Sequence, residues 1–271
     1  MPLVSIGEHK LFYREEMPPP SLGGTQESLI PIIFLHGFTL DHRQWNKQAE
    51  YFGQTRRVLC IDAMGHGKSD APESGYSRAD RVEHLRAFVE ALGINRFHLV
   101  GLSMGGTTAI GYALRYSKQL ESMTLVSTAA AGWSGSNKVS LVDRLAREKG
   151  LEAARRKWKQ ITLLYYKEKH LEIKQLMEEM VDGHSGAVWL DPMRGKYPRE
   201  YDLEKVHEIT VPTQIIVGEL DRIFVPLAHT LNRQIAESRL LVYENTGHMV
   251  NMEQPDRFNA DLSEFLKEVD K

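Results

Sequence analysis

Short runs of apolar residues recur along the chain, and most are apolar at every position instead of at alternate ones. Strands with this pattern are covered on both faces, as in parallel sheets. The runs predict strands at residues 3–6, 10–14, 30–35, 57–61, 97–100, 123–126, 213–217 and 240–243.

Helical periodicity fills several of the gaps between these runs. Residues 79–92 place Val82, Leu85, Phe88, Val89 and Leu92 on one face, and residues 104–117 and 255–268 also follow a helical pattern. Alternating strands and helices predict a mostly parallel sheet with helices on both faces. Functional groups of such sheets gather beyond the carboxyl ends of the strands, where this chain places polar or glycine-rich residues.

One long stretch breaks the alternation. Residues 132–200 contain helix-like, charged and aromatic segments and no convincing strand. We interpret this stretch as a helical cap inserted between two strands. The predicted organisation is therefore a core made of residues 1–131 and 201–271, with residues 132–200 as a lid.

Composition restricts the function classes. The chain has 271 residues, 42% apolar and 26% charged, with a formal charge of −2. This balance is typical of a globular protein and does not indicate a partner that is a nucleic acid or an acidic membrane surface. We find no signal-peptide pattern and no apolar run long enough to span a membrane, so we expect a cytoplasmic protein. The single cysteine, Cys60, lies in an apolar run and is interpreted as an inert core residue.

The strongest chemical signal is the segment from Gly101 to Gly106, which contains Ser103. It has the G-x-S-x-G pattern, with a predicted strand before it and a predicted helix after it. That context is typical of a nucleophile elbow, a tight turn that projects a serine hydroxyl above the sheet. Flanking glycines are needed because side chains there would collide with neighbouring backbone. Ser103 is therefore the candidate nucleophile.

A serine nucleophile needs a base, and the base needs an orienting acid. His248 follows the last predicted strand, and Asp221 follows the strand before it, which gives the chain order Ser, Asp, His. Glu219 and Glu244 are the competing candidates for the acid.

The oxyanion of an acyl-transfer reaction needs two backbone N–H donors. Phe38, after the strand 30–35, and Met104, after the nucleophile, are the candidates. His36 is interpreted as a structural residue that ties its loop to neighbouring segments. The loop 62–70 lacks the spacing of a phosphate loop, and we interpret it as support near the site. We find no metal-ligand spacing and predict no metal.

Taken together, these segments resemble the α/β-hydrolase family over most of the chain. The resemblance implies an eight-stranded, mostly parallel sheet with a helical cap and no cofactor. It also implies that Ser103 is the nucleophile, Asp221 the acid, His248 the base, and Phe38 and Met104 the oxyanion donors. A serine at 103 argues against the related haloalkane dehalogenases and epoxide hydrolases, which use aspartate there.

We therefore expect hydrolysis of a carboxylic ester of a small or medium, largely apolar substrate through an acyl-enzyme on Ser103, with no nucleic-acid or membrane partner. The pocket is predicted to include Trp133, Trp158, Tyr165, Trp189 and Met249.

Two alternatives stay open. The first is an enol-lactone or carbon–carbon bond hydrolase of aromatic catabolism. Met249 stands where carbon–carbon hydrolases often carry tryptophan, which weakens that part of the alternative. It would need a basic residue for a substrate carboxylate, for which Arg155, Arg156, Arg194 and Arg222 are candidates. The second is a ligand-binding receptor with slow turnover.

Overall fold

The computed structural model describes residues 2–19, 30–133, 138–163 and 170–271, except for the side chains of 138–140. These residues form one sheet of eight strands in the order β1-β2-β4-β3-β5-β6-β7-β8. The strands are β1 Leu3–Ile6, β2 His9–Glu16, β3 Ile32–Leu35, β4 Val58–Ile61, β5 Phe97–Leu102, β6 Leu120–Val126, β7 Thr213–Gly218 and β8 Ser238–Tyr243.

The sheet is antiparallel at one edge and parallel elsewhere. β2 pairs antiparallel with both β1 and β4, and the five remaining pairings, from β4 through β3 to β8, are parallel. This arrangement confirms the predicted mostly parallel sheet. Parallel neighbours end at the same edge, so the loops after β3, β5, β7 and β8 are brought together there.

Ten α-helices complete the described part of the chain. One helix lies in each of the three connections between β3 and β4, β4 and β5, and β5 and β6, and four consecutive described α-helices lie between β6 and β7. The helices are α1 Asn46–Phe52, α2 Arg78–Ala91, α3 Met104–Tyr116, α4 Lys138–Lys149, α5 Leu151–Thr162, α6 Leu171–Gly183, α7 Ala187–Leu190, α8 Val225–Gln234, α9 Val250–Glu253 and α10 Pro255–Val269.

The core lies on both faces of the sheet, which explains why its strands are apolar throughout. In β3, Ile33 and Leu35 join α2, α3 and α8 in one buried cluster, whereas Ile32 and Phe34 join α1 and α10 in the other. Successive side chains of a strand point to opposite faces, so a strand between two helical layers has no solvent face. Cys60 is fully buried in the second cluster, and burial raises the pKa of its thiol.

Helices α4 to α7 lie between β6 and β7. The described part of residues 132–200 contains helices and turns and no strand. Trp189 of α7 packs with Val142 and Ala146 of α4, and Met177 and Met180 of α6 join the core cluster that contains Met249. The segment is thereby held next to the end of β8. Among the described helices, none is long and apolar enough to cross a membrane.

Strand β2 and helix α1 illustrate the differences from the predicted pattern. β2 continues to Glu16, beyond the predicted 10–14, because Tyr13 to Glu16 pair with β4 and the ladder stabilises polar residues at the sheet margin. Helix α1 was not predicted, since its buried residues include the polar Gln48 beside Ala49 and Phe52. A polar side chain on the buried face interrupts the apolar periodicity from which helices are predicted.

Gly105→Ala tests the close approach of α3 to β3. A Cβ at residue 105 would lie 2.2 Å from the carbonyl oxygen of Leu35, which is backbone and cannot turn away. We expect the substitution to cost about 3 kcal/mol of unfolding free energy, or about 6–12 °C in Tm, measured by thermal denaturation. Gly183→Ala is the matched control, because nothing lies within 4 Å of its added Cβ. A Gly105→Ala protein as stable as wild type would contradict the packing described.

Candidate active site

Ser103 occupies a strained turn between β5 and α3. Its backbone has φ 53° and ψ −110°, which a residue with a side chain rarely adopts. The turn is held from both sides: the Ser103 N–H donates to Val126 O at 2.9 Å, and the Thr128 hydroxyl donates to Ser103 O at 2.7 Å. A Cβ on Gly101 would lie 2.5 Å from the backbone of Gly105, so the motif glycines are required by contact.

His248 and Asp221 are in direct contact. The Nδ1 of His248 lies 2.7 Å from Oδ2 of Asp221, which is only 8% exposed. The carboxylate only accepts, so it holds the proton on Nδ1 and leaves Nε2 able to accept another. The ring of Phe224 stacks on the imidazole with 4.9 Å between centroids and fixes its plane.

The loops that carry the acid and the base are joined backbone to backbone. The Leu220 N–H donates to Thr246 O at 2.9 Å, and a Cβ on Gly218 would lie 2.1 Å from Gly247 O. Glu219, the competing acid, instead accepts the Asn245 N–H at 2.9 Å and is exposed. The separation between acid and base is thus set by contacts between main chains.

Glu253 holds the two residues that flank His248. Its carboxylate accepts the N–H of Gly247 at 2.8 Å and the N–H of Met249 at 3.1 Å, and its side chain is 1% exposed. Sequence reasoning missed this role, although Glu253 stands in the segment after His248 that contributes to the family resemblance. A buried carboxylate that binds both amides restricts the position of the imidazole between them.

A buried amide cluster links this loop to the loop after β3. Asn251 Nδ2 donates to Gln48 Oε1 at 3.0 Å and to Gln44 O at 2.9 Å, and the Gly37 N–H donates to Gln44 Oε1 at 2.8 Å. The bond from Gly37 fixes the residue before Phe38, and Phe38 and Met104 line the same cavity. Within the described residues, neither the Phe38 nor the Met104 N–H is paired with a protein acceptor.

His36 has the structural role predicted for it. Its Nε2 accepts the Ala63 N–H at 2.9 Å, and its Nδ1 donates to Gly37 O at 2.8 Å. Burial lowers the pKa of His36, so the imidazole is neutral and both bonds persist at neutral pH. The ring joins the loop after β3 to the loop after β4.

The carboxylate of Asp62 binds backbone N–H groups of its own glycine-rich loop and of the segment at His42. It accepts the backbone N–H groups of His42 at 2.6 Å and of Lys68 at 2.9 Å, together with His42 Nδ1 at 2.9 Å. Ligand atoms of Asp41, His42 and Asp62 lie within 4.8 Å of one another. Asp41 is also engaged, since Arg43 Nη2 donates to it at 2.8 Å. A metal would have to displace these bonds, so we assign the cluster a supporting role.

One cavity of about 510 Å³ contains the candidate triad. Ser103, Asp221 and His248 line it together with Phe38 and Met104. Of the predicted pocket residues, Trp133, Trp158 and Met249 also line it.

Trp189 and Tyr165 are the other two predicted pocket residues. The Trp189 ring is fully buried behind Phe38, with 6.2 Å between their centroids, and it does not line the cavity. Tyr165 falls outside the described residues. Two arginines reach the cavity, Arg194 of the cap and Arg81 of α2, and only Arg194 was among the predicted basic residues.

Comparison with known proteins places this site in a family. A sequence model described as the alpha/beta hydrolase fold matches residues 30–255, most of the chain. The chain belongs to the α/β-hydrolase family. It is an enzyme with the hydrolytic function of that family, as its fold and its relatives show.

Individual relatives of this α/β hydrolase have different named activities. A Bacillus subtilis (strain 168) protein whose name assigns it 2-succinyl-6-hydroxy-2,4-cyclohexadiene-1-carboxylate synthase activity is 27% identical over 88% of this chain and 90% of its own. The Mus musculus monoacylglycerol lipase ABHD6 is 31% identical over 88% of this chain and 76% of its own. The enol-lactonase structure from Burkholderia xenovorans LB400 superposes with a TM-score of 0.85 at 23% identity, covering 98% of this chain and all of the other.

Glu253→Gln tests how the α/β hydrolase holds its histidine. The two N–H groups bind different oxygens of the carboxylate. In glutamine one of these oxygens is replaced by an NH₂ group, which donates and does not accept. One backbone N–H would then face this NH₂ group, so the His248 loop should shift. A small misplacement of a catalytic side chain lowers the rate by up to about 10²-fold. We therefore expect kcat for an ester to fall about 10–100-fold, with KM changed less than about threefold.

The control is Glu264→Gln, an exposed glutamate on α10. It should leave kcat and Tm unchanged. A Glu253→Gln enzyme with wild-type kcat would refute the positioning role of Glu253.

Proposed function

We propose that this α/β hydrolase cleaves a carboxylic ester of a small or medium, largely apolar substrate through an acyl-enzyme on Ser103. The observation that carries the proposal is that Ser103, Asp221, His248, Phe38 and Met104 all line one cavity. Acyl transfer needs these groups in one place: a nucleophile, a base and donors for the developing oxyanion.

The proposed reaction begins when Ser103 Oγ attacks the ester carbonyl and His248 Nε2 accepts the hydroxyl proton. Asp221 stabilises the imidazolium through its bond to Nδ1. The N–H groups of Phe38 and Met104 bind the oxyanion, and each such donor contributes about 10²–10³-fold to the rate. His248 then protonates the leaving alcohol. Water repeats the sequence on the acyl-enzyme and releases the acid.

The cavity wall supports a substrate with an apolar body. Its apolar surface is supplied by the core and by the cap helices α5 and α6, with the Trp158 indole N–H bound to the Thr39 hydroxyl at 2.7 Å. Apolar groups on this wall are excluded from water, which favours an acyl or alcohol chain of moderate length. The apolar lining residues include Leu40, Met64, Trp133, Trp158, Ile161, Met177, Val181, Val188 and Met249.

The relatives support hydrolysis of acyl–oxygen bonds. A monoacylglycerol lipase and an enol-lactonase both cleave such bonds, as their names state. We extend only that shared chemistry to this chain.

Enol-lactone or carbon–carbon hydrolysis is the second candidate, and the position of Arg194 favours it. That alternative requires a cation for a substrate carboxylate, and Arg194 lines the cavity with its guanidinium 5.5 Å from the ring centroid of Phe38. Arg194 is also 2.6 Å from Asp143, which neutralises much of its charge. The ester remains the first candidate because Met249 stands where carbon–carbon hydrolases often carry tryptophan and a monoacylglycerol lipase is among the relatives.

Hydrolysis of p-nitrophenyl esters from acetate to decanoate tests the proposal. We expect turnover that peaks at an intermediate chain length, since the cavity is closed by cap helices. Ser103→Ala should lower kcat/KM by about 10³-fold or more, because base, acid and oxyanion donors cannot replace the nucleophile.

Ser5→Ala is the matched control, an exposed serine on β1, and it should retain activity. Labelling by a fluorophosphonate should be lost only in Ser103→Ala. Full hydrolysis by Ser103→Ala would contradict the acyl-enzyme. Labelling of Ser103 without turnover of any ester would favour the enol-lactone or carbon–carbon candidate, or a receptor with slow turnover.

A further inference from the structure

Arg81 is a cation on the inner face of α2. It lies four residues before Leu85 and seven before Phe88, both buried in the core, so it shares their face. Its side chain lines the cavity that contains Ser103, and it is partly accessible there. A charged residue on the buried face of a helix needs a partner of opposite charge or several hydrogen bonds.

Within the described residues, Arg81 forms three hydrogen bonds but no ion pair, although Glu200 and Asp80 lie close enough for their charges to act on it. Its Nε donates to Thr108 Oγ1 at 3.1 Å, its Nη1 to Tyr76 O at 2.9 Å, and its Nη2 to Thr107 Oγ1 at 3.2 Å. These three bonds use three of five N–H groups and leave one on each terminal nitrogen. Two adjacent N–H groups of a guanidinium match the two oxygens of a carboxylate.

The neighbouring arginines show what Arg81 lacks. Arg78, one turn earlier on α2, forms ion pairs with Asp202 at 2.7 Å and with Glu200. Arg194, the other arginine of the cavity, pairs with Asp143 at 2.6 Å. Desolvation, followed by the charge of Arg194, lowers the pKa of Arg81 to about 10, so Arg81 stays cationic at neutral pH.

Arg81 is held close to the reacting centre. Thr107, which binds its Nη2, follows Ser103 by four residues, and the Thr107 N–H donates to Ser103 O at 3.1 Å. Four residues of α-helix span about 6 Å. In one substrate molecule, a carboxylate bound to Arg81 would therefore be separated by only a few covalent bonds from the carbonyl that Ser103 attacks. The hydroxyls of Thr107 and Thr108 in turn donate to Met104 O at 2.7 and 3.2 Å, which fixes both in place.

We propose that Arg81 binds a carboxylate of the substrate, and that the natural substrate is an ester or related acyl compound with this carboxylate a few bonds from the scissile carbonyl. The assignment of the cleaved bond depends on the proposed function, whereas the assignment of a carboxylate group to the substrate depends on Arg81. The apolar wall accommodates the remainder of the molecule, and Arg81 sets the orientation of the charged end.

Binding of dicarboxylates to Ser103→Ala protein tests the recognition without any chemistry. Succinate, glutarate and adipate resemble the acid products of such esters, and isothermal titration calorimetry gives their Kd. We expect at least one to bind, and Arg81→Met in the same background to weaken it at least about 30-fold, as removing one partner of a buried ion pair does. Arg86→Met is the matched control, an exposed arginine on α2 that pairs with Glu90. It should leave the Kd unchanged.

Hydrolysis of paired methyl esters provides the second measurement. In a pH-stat, monomethyl succinate, glutarate and adipate are compared with methyl butyrate, valerate and caproate. Wild type should prefer an anionic ester over its neutral partner. Arg81→Met should lower that ratio of kcat/KM at least about 30-fold, and Arg81→Lys, which keeps the charge and loses the planar fork, should lower it less. Arg81→Lys carries the test if Arg81→Met does not fold.

The outcomes separate this proposal from the proposed function. Ester hydrolysis without binding of any dicarboxylate, or with an anionic-to-neutral ratio unchanged by both Arg81 variants, overturns the role of Arg81 and leaves the ester hydrolase intact. Arg81-dependent binding without hydrolysis of any ester supports the carboxylate site and overturns the ester reaction. Equal binding of inorganic phosphate and dicarboxylates would overturn carboxylate selectivity.

Discussion

The turn at Ser103 depends on backbone segments approaching more closely than any side chain would allow. A Cβ at Gly105 would lie 2.2 Å from Leu35 O, and one at Gly106 would lie 2.3 Å from the Thr128 hydroxyl. These contacts press α3 against the sheet and hold Ser103 at φ 53°. Strain of this kind costs about 1–3 kcal/mol and persists only when the surroundings dictate it. The place of Ser103 on the cavity wall, and that of the α3 threonines that bind Arg81, follow from this packing.

The rest of the site is assembled from other strand ends and fixed by buried polar bonds. Gly218 and Gly247 touch main chain to main chain, and Glu253 binds the amides on either side of His248. Through Asn251 and Gln44 the same region reaches the loop of Phe38. Such groups are costly to bury unless every member is paired, so the network specifies one arrangement of His248 relative to the loop of Phe38. The proposed acyl transfer uses that arrangement without large rearrangement.

Local sequence patterns predicted those elements that depend on interactions between residues close together in the sequence. Apolar runs predicted the strands because both faces of the sheet are covered, and the glycines around Ser103 predicted the tight turn they permit. Asp221 and His248 could be chosen because each follows a strand and strands of a parallel sheet end together. Their contact at 2.7 Å agrees with that choice, whereas their catalytic roles stay a proposal.

The pocket was harder to predict because it depends on how helices far apart in sequence face each other. Trp189 is a large aromatic residue of the kind expected in a pocket, but its ring packs behind Phe38. Arg81 lies more than twenty residues before Ser103, and only its place on the apolar face of α2 could have indicated it. Glu253 looked like an ordinary acidic residue, since its role is to bind backbone groups that carry no sequence signal.

The central claim is a covalent acyl-enzyme on Ser103, and mass spectrometry of protein quenched in acid during turnover of p-nitrophenyl acetate tests it most directly. The account predicts that the peptide containing Ser103 gains the mass of one acetyl group, and that the adduct disappears when the substrate is exhausted. Turnover with an adduct on another residue only, or a Ser103→Ala protein that turns over the ester as fast as wild type, would contradict the account.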